Sequence, residues 1–164
     1  ITLKDFFIKK PKNLSQNIAH FGFSLLILSI LFNNIFSTEV ITNLKIGETF
    51  QSKKFKINFE SIDQKNEKNF KAIIGKFNIE NLNGVVEILN PELRIYNQPN
   101  VVTSEADIKT NLLSDRFITM NLVPNQEYFN VRYQNKPFMI WIWFSVLLIS
   151  VGGIVSLFKK KYES

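Results

Sequence analysis

Two nearly unbroken apolar runs bracket a stretch in which hydrophobic positions alternate with polar ones. The first, Ile18 to Phe36, and the second, from Met139 to Phe158, are each near or above the length of about 18 residues at which an apolar helix crosses a bilayer. Asn33-Asn34-Ile35-Phe36-Ser37 brings polar groups back and ends the first span. Ser15 offers a helix N-cap before it, with Asn13 as the alternative. From Glu39 the period changes from helical to two. Phe55, Ile57 and Phe59 alternate with Lys54, Lys56 and Asn58, the mark of a half-buried strand. Further strands are expected over Val40–Leu44, Phe70–Ile79, Val85–Leu89 and Leu93–Tyr96. A last pair, Phe117–Val123 and Tyr128–Tyr133, lies around Pro124-Asn125. Asn81-Leu82-Asn83-Gly84 has hairpin-turn chemistry, and the charged stretch Ile62–Asn69 reads as a loop.

Seven or eight short strands between two spans predict an α+β membrane protein. Two transmembrane helices flank a small all-β domain, a sandwich or partly closed barrel, outside the cytoplasm. The expected divisions are an interfacial segment over 1–16, a helix over 17–37, the β-domain over 38–136, a helix over 137–158 and a tail over 159–164. Trp141 and Trp143 near the start of the second span suit the membrane interface, and Gly152-Gly153 would let helices pack closely. The chain begins at Ile1 rather than Met, and reads as a piece of a longer protein or a processed chain.

Charge sharpens this picture. The net charge of +6 sits mainly at the membrane edges: Lys4, Lys9, Lys10 and Lys12 precede the first span, and Lys159 to Lys161 follow the second. Between them, residues 38–136 hold thirteen Lys or Arg against twelve Asp or Glu. Basic flanks point to the cytoplasmic side, so both termini are expected there and the β-domain in the periplasm of a bacterial inner membrane. The mitochondrial inner membrane is the alternative. A balanced middle gives no basic face, so no nucleic-acid partner is expected. With no cysteine, this chain forms no disulfide, thiolate zinc site or CxxCH haem attachment.

Little in the β-domain suggests catalysis. The only histidine, His20, lies in the first span, which rules against a Ser–His triad with the domain's serines. Glu92, Glu105, Asp107 and Asp115 lack metal-loop spacing, and neither a P-loop nor a GxGxxG is present. Glu92 and Arg94 would share one strand face, in a structural or docking role. In the first span, helical spacing puts Asn13, Gln16, His20 and Ser24 on one face, with Gly22 beside them admitting a flat ligand or a second helix. An ionisable group in such a span faces a bundle interior, a cavity or a cofactor. Two readings of His20 follow: ligation of a metal or haem, or a polar residue near the interface that hydrogen-bonds another helix.

The ordered set IAHFG at the start of the first span, PELRIY and then TSEADI in the β-domain, and NKPFMIWIWFS opening the second span resembles the C-terminal part of the CcmF family. Members of that family are cytochrome c-type biogenesis proteins that act as haem lyases. The resemblance runs from about Asn17 to Gly153. It implies a multi-span inner-membrane protein that joins haem to apocytochrome c. Its implied partners are the upstream part of CcmF and other maturation proteins, including the haem-carrying chaperone. It further implies that His20 matches the family's LAHxG histidine, an axial ligand to haem b iron, with Gln16, Ser24 and Gly22 as haem surroundings. The family's tryptophan-rich haem-handling segment and its flanking histidines have no counterpart in this chain, and one histidine cannot supply both axial ligands, so the second would come from outside it. On this basis the fragment alone is not expected to be an active lyase. The rival expectation is a two-span scaffold subunit whose β-domain docks an assembly partner, with His20 only packing.

Overall fold

The computed structural model describes residues 14–162 apart from Leu82. Residues 1–13 of the expected interfacial segment over 1–16, among them the cap candidate Asn13, and Leu82 of the expected turn lie outside the described residues; residues 14–16 are helical. The chain divides into two compact units, a helical one and a β one.

The helical unit holds α1 (Leu14–Phe36), α2 (Met139–Tyr162) and the short segment Leu112–Ser114. Both helices are long and apolar enough to cross a membrane, over Leu14–Phe36 and Met139–Leu157. Ser15 lies inside α1, which already begins at Leu14. The helices run antiparallel: Asn33 Nδ2 donates to the Pro137 carbonyl at 2.6 Å at one end, while Ser15 and Ala19 meet Gly152 towards the other. Phe32 packs on Phe138 with ring centroids 5.2 Å apart, close to that first end.

The β unit comprises Ser37–Asn111 and Asp115–Lys136. Ten strands follow one another: β1 (Thr38–Leu44), β2 (Thr49–Gln51), β3 (Phe55–Asn66), β4 (Phe70–Asn81), β5 (Val86–Leu89), β6 (Glu92–Tyr96), β7 (Val102–Glu105), β8 (Asp107–Thr110), β9 (Ser114–Leu122) and β10 (Phe129–Pro137). They form two sheets, of order β1-β10-β9-β8 and β2-β3-β4-β6-β7, with β5 added beside β4. The architecture is therefore a sandwich rather than a partly closed barrel. Leu44, Ile118, Met120, Val131 and Tyr133 of one sheet face Ile57, Phe59, Phe77, Ile79, Leu89 and Leu93 of the other. Aromatic rings tie the sheets together, with Phe55 against Tyr133 at 4.8 Å and Phe59 against Phe129 at 5.5 Å. The alternation seen in the sequence is this inward face.

The expected loop over Ile62–Asn69 is instead mostly strand. β3 continues past a bulge between Phe59 and Ser61 and stays paired, from Ile62 with Gly75 to Asn66 with Lys71. Only Glu67, Lys68 and Asn69 turn the chain. From Asp63 to Asn66 every side chain is exposed, so no buried face imposes a period of two on the sequence. Where the turn chemistry was explicit it held: Gly84 takes a positive φ of 72° and its N–H donates to the Asn81 carbonyl at 2.9 Å.

Candidate functional site

Small residues bring the two helices together. A Cβ at Gly22 would come within 3.0 Å of both Ile149 Cγ1 and Leu148 Cβ. One at Gly152 would meet the Ala19 nitrogen and the Ser15 carbonyl oxygen at 2.9 Å. Ser15, Ala19 and Gly22, spaced by four and three, thus form the stripe of α1 that seats α2. Gly22 serves the second helix, the second of the two roles open to it. Gly153, by contrast, looks into open space.

His20 lies on another stripe of α1, about a third of a turn round from the first. It is exposed, together with Gln16 one turn before it and Ser24 one turn after. The Gln16 side-chain amide comes within 3.4 Å of His20 Nε2. The Ser24 hydroxyl donates to the main-chain carbonyl of His20 at 3.0 Å and does not bond the ring. Of the two described polar residues expected beside it on this face, Gln16 touches the imidazole and Ser24 does not. Gly22 faces elsewhere, and Asn13 is not described.

An exposed imidazole with one weakly held nitrogen has the donor chemistry of an axial haem ligand. If Gln16 orients the ring through Nε2, Nδ1 is the nitrogen left for iron; if Nε2 ligates, the Gln16 amide must swing aside. Among the described residues no group of three or more His, Cys, Asp or Glu is placed to hold a metal ion. One nitrogen ligand is what the described residues offer.

In the β unit, β6 places Glu92 and Arg94 on its outer face. Arg94 Nε donates to Glu92 Oε2 at 3.0 Å, and the guanidinium lies 5.2 Å from the centre of the Phe70 ring. Phe70 in turn packs on Tyr96 at 5.3 Å. Glu92, and next Tyr96, hold the Arg94 guanidinium even more firmly in its charged form. Across the ladder Glu92 pairs with Glu105, which accepts from the Thr103 hydroxyl at 3.2 Å. Asp107 accepts from the Asn90 N–H at 2.6 Å. These acids knit local structure. Glu87 and Arg116, which sequence reasoning did not single out, form a tighter pair at 2.7 Å, with side chains only 24% and 12% exposed. They lie near Tyr133, whose phenol is pushed up to about 12, chiefly by burial.

Residues 35–137 match the family model described as the CcmF C-terminal beta-sandwich. Cytochrome c-type biogenesis protein CcmF of Haemophilus influenzae is 29% identical over 148 residues, 89% of this chain and 22% of its own length. CcmF of Escherichia coli is 24% identical over 145 residues, 88% of this chain and 22% of the relative. The biogenesis protein ccl1 of Rhodobacter capsulatus is 29% identical over 146 residues, 89% of this chain and 22% of the relative. Alignments of that length reach beyond the matched sandwich into the helices. The solved structure of a cytochrome c heme lyase CcmF superposes with a TM-score of 0.63 at 19% identity, covering 86% of this chain and 24% of that one. The chain spans about a fifth of the length of the curated relatives it matches. Its helix–sandwich–helix order and the match over residues 35–137 show that it belongs to the CcmF family, and corresponds to that family's C-terminal β-sandwich with flanking helices.

Proposed function

We propose that this chain is the C-terminal part of a cytochrome c haem lyase subunit of the bacterial inner membrane, in which His20 is an axial ligand to a haem b. The observation that carries the reading is the place of His20: the only histidine of the chain projects its imidazole from an exposed face of α1, away from the stripe that seats α2. Haem bound there would supply one-electron redox chemistry and keep the iron of the transferred haem reduced. The chain's own residues hold and orient. Gln16 positions or releases the ring, the Ser24 hydroxyl ties down the main chain of His20, and Ser15, Ala19, Gly22 and Gly152 fix α1 against α2. Thioether formation would draw on vinyl groups and apocytochrome cysteines, and the sandwich would dock partners: apocytochrome c, the haem-carrying chaperone and other maturation proteins. The second ligand comes from helices outside this chain.

His20→Ala in the complete protein tests this reading. Retention of b-type haem, read from the absorption spectrum of the purified protein, should fall sharply, with cytochrome c maturation falling too. The circular dichroism of the sandwich should stay unchanged, because His20 contributes nothing to its core. External imidazole should restore part of the haem signal if the cavity admits it. Wild-type haem content and maturation in the variant would return His20 to packing and leave the scaffold role standing.

A further inference from the structure

The tip of the β8–β9 hairpin packs with the helices. Leu112–Ser114 fall in the helical unit together with α1 and α2. Two hydrogen bonds hold the tip there: Trp141 Nε1 donates to the Leu112 carbonyl at 2.8 Å, and the Phe138 N–H donates to the Leu113 carbonyl at 2.8 Å. Both donors lie at the start of α2, so the tip is fixed at the level of that helix's first turn.

That level is a membrane boundary if α2 spans, and the inference rests on that reading. The apolar stretch Met139–Leu157 has 19 residues. At ~1.5 Å per residue it is about 28 Å long, close to the thickness of a bilayer's hydrocarbon core. Phe138 and Trp141 then lie where head groups meet acyl chains, the depth that tryptophan favours. Trp143, 65% exposed, marks the same zone.

Hairpin tips in water are usually built from polar and turn-forming residues. This one presents Leu112 and Leu113, 69% and 67% exposed, among the most exposed large hydrophobic side chains of the chain. Apolar surface gains by leaving water, so two adjacent exposed leucines call for an apolar environment. The uncharged Asn111 and Ser114 flank them, and the exposed Lys109 stands three residues before Leu112. We infer that Leu112 and Leu113 insert into the bilayer at its interface, making the β8–β9 tip a lipid-embedded anchor beside Trp141 and Trp143. Lipid is the occupant the position selects: the tip continues the tryptophan-bearing end of α2, which meets lipid at that depth.

The chain contains no cysteine, so Leu112→Cys, Leu113→Cys and, as a water-exposed control, Asn97→Cys each add a single thiol to it. Each would be labelled with bimane in the complete protein, with the unsubstituted complete protein labelled in parallel as background, and reconstituted in phosphatidylcholine vesicles with or without phosphatidylcholine brominated near the head group. Brominated lipid should quench the labels at 112 and 113 several-fold more than the label at 97, and aqueous iodide should show the reverse. A bimane at Trp143→Cys, on the exposed side of α2's first turns, should be quenched by the same lipid in parallel samples. Iodide quenching at 112 and 113 equal to that at 97 would overturn the inference, and so would shielding from both quenchers, which means that protein covers the tip. Absence of lipid quenching at position 143 as well would overturn the spanning reading of α2 itself.

Discussion

At the scale of single residues, Tyr133 shows what burial does to an ionisable group. Its side chain is 2% exposed on the inner face of β10, and burial pushes its phenol up to about 12. The unfolded chain, with a phenol near 10, releases this proton first as pH rises, so the folded state becomes relatively less stable. This contribution is complete below about pH 10 and fades as pH climbs towards 12, with about 1 kcal/mol gone at pH 11. Tyr133→Phe keeps the ring and removes the proton. Comparing the denaturant midpoints of the two proteins from pH 8 to pH 11 should show the Phe variant losing less stability; equal slopes would mean that Tyr133 is not the titrating group. Other single residues show where sequence reading stops. His20 was legible because an ionisable group inside an apolar run stands out, and Gln16 because its spacing of four puts it one turn away. Glu87 was not. In Val85-Val86-Glu87-Ile88-Leu89 the hydrophobic Val86 and Ile88 point outward and Glu87 inward, opposite Ile79. A carboxylate turned inward is intelligible only beside Arg116, which is far from it in sequence and lies on another sheet.

At the scale of elements, close helix packing and sheet registry depend on different signals. Gly152 and Gly153 look equivalent in sequence, yet a Cβ at 152 meets main-chain atoms of α1 at 2.9 Å and one at 153 meets nothing. Main chain cannot rotate out of the way as a side chain can. Gly152→Ala should therefore force the helices apart and lower the sodium dodecyl sulfate concentration at which the helical unit unfolds. Gly153→Ala should leave that midpoint unchanged or raise it slightly, since alanine favours a helix over glycine by roughly 1 kcal/mol in water. Tryptophan fluorescence from Trp141 and Trp143 reads both, and equal midpoints would show that α1 and α2 do not depend on this contact. Strands with one buried face were visible in the sequence: Phe55-Ile57-Phe59 and Phe77-Ile79 fall where alternation put them. The short strands β2 and β8 and the outer half of β3 were not, since mostly exposed side chains leave pairing to the main chain, which carries no sequence period; nor was β7, whose half-buried Thr103, Ser104 and Glu105 are polar and show no apolar alternation.

At the scale of the whole molecule, the two helices settle one aspect of topology and leave the side to charge. Because α1 and α2 are antiparallel, Phe36 and Met139 lie at one end of the helix pair, and residues 37–136 leave and return on the same side of a membrane that both helices cross. Which side follows from the lysines. Lys9, Lys10 and Lys12 precede α1 in sequence, and Lys159 to Lys161 close α2 at the end away from Met139. Retention of short basic flanks on the cytoplasmic side would put the sandwich in the periplasm. The β3–β4 hairpin provides the readout. Lys65 is within the paired part of β3 and bonded to Glu67 at 2.8 Å, whereas Lys68 lies in the turn itself. A protease needs several residues of extended, unpaired chain, and turns at exposed tips supply it more readily than ladders. Trypsin added to intact spheroplasts should cut after Lys68 and spare Lys65, giving fragments that mass spectrometry distinguishes. In inverted inner-membrane vesicles the same bond should survive. Cleavage after Lys68 in the vesicles and protection in the spheroplasts would reverse the orientation, and would place the sandwich in the cytoplasm, away from any periplasmic apocytochrome. Equal cutting at Lys65 would show that the outer half of the hairpin is unpaired in the membrane-bound protein.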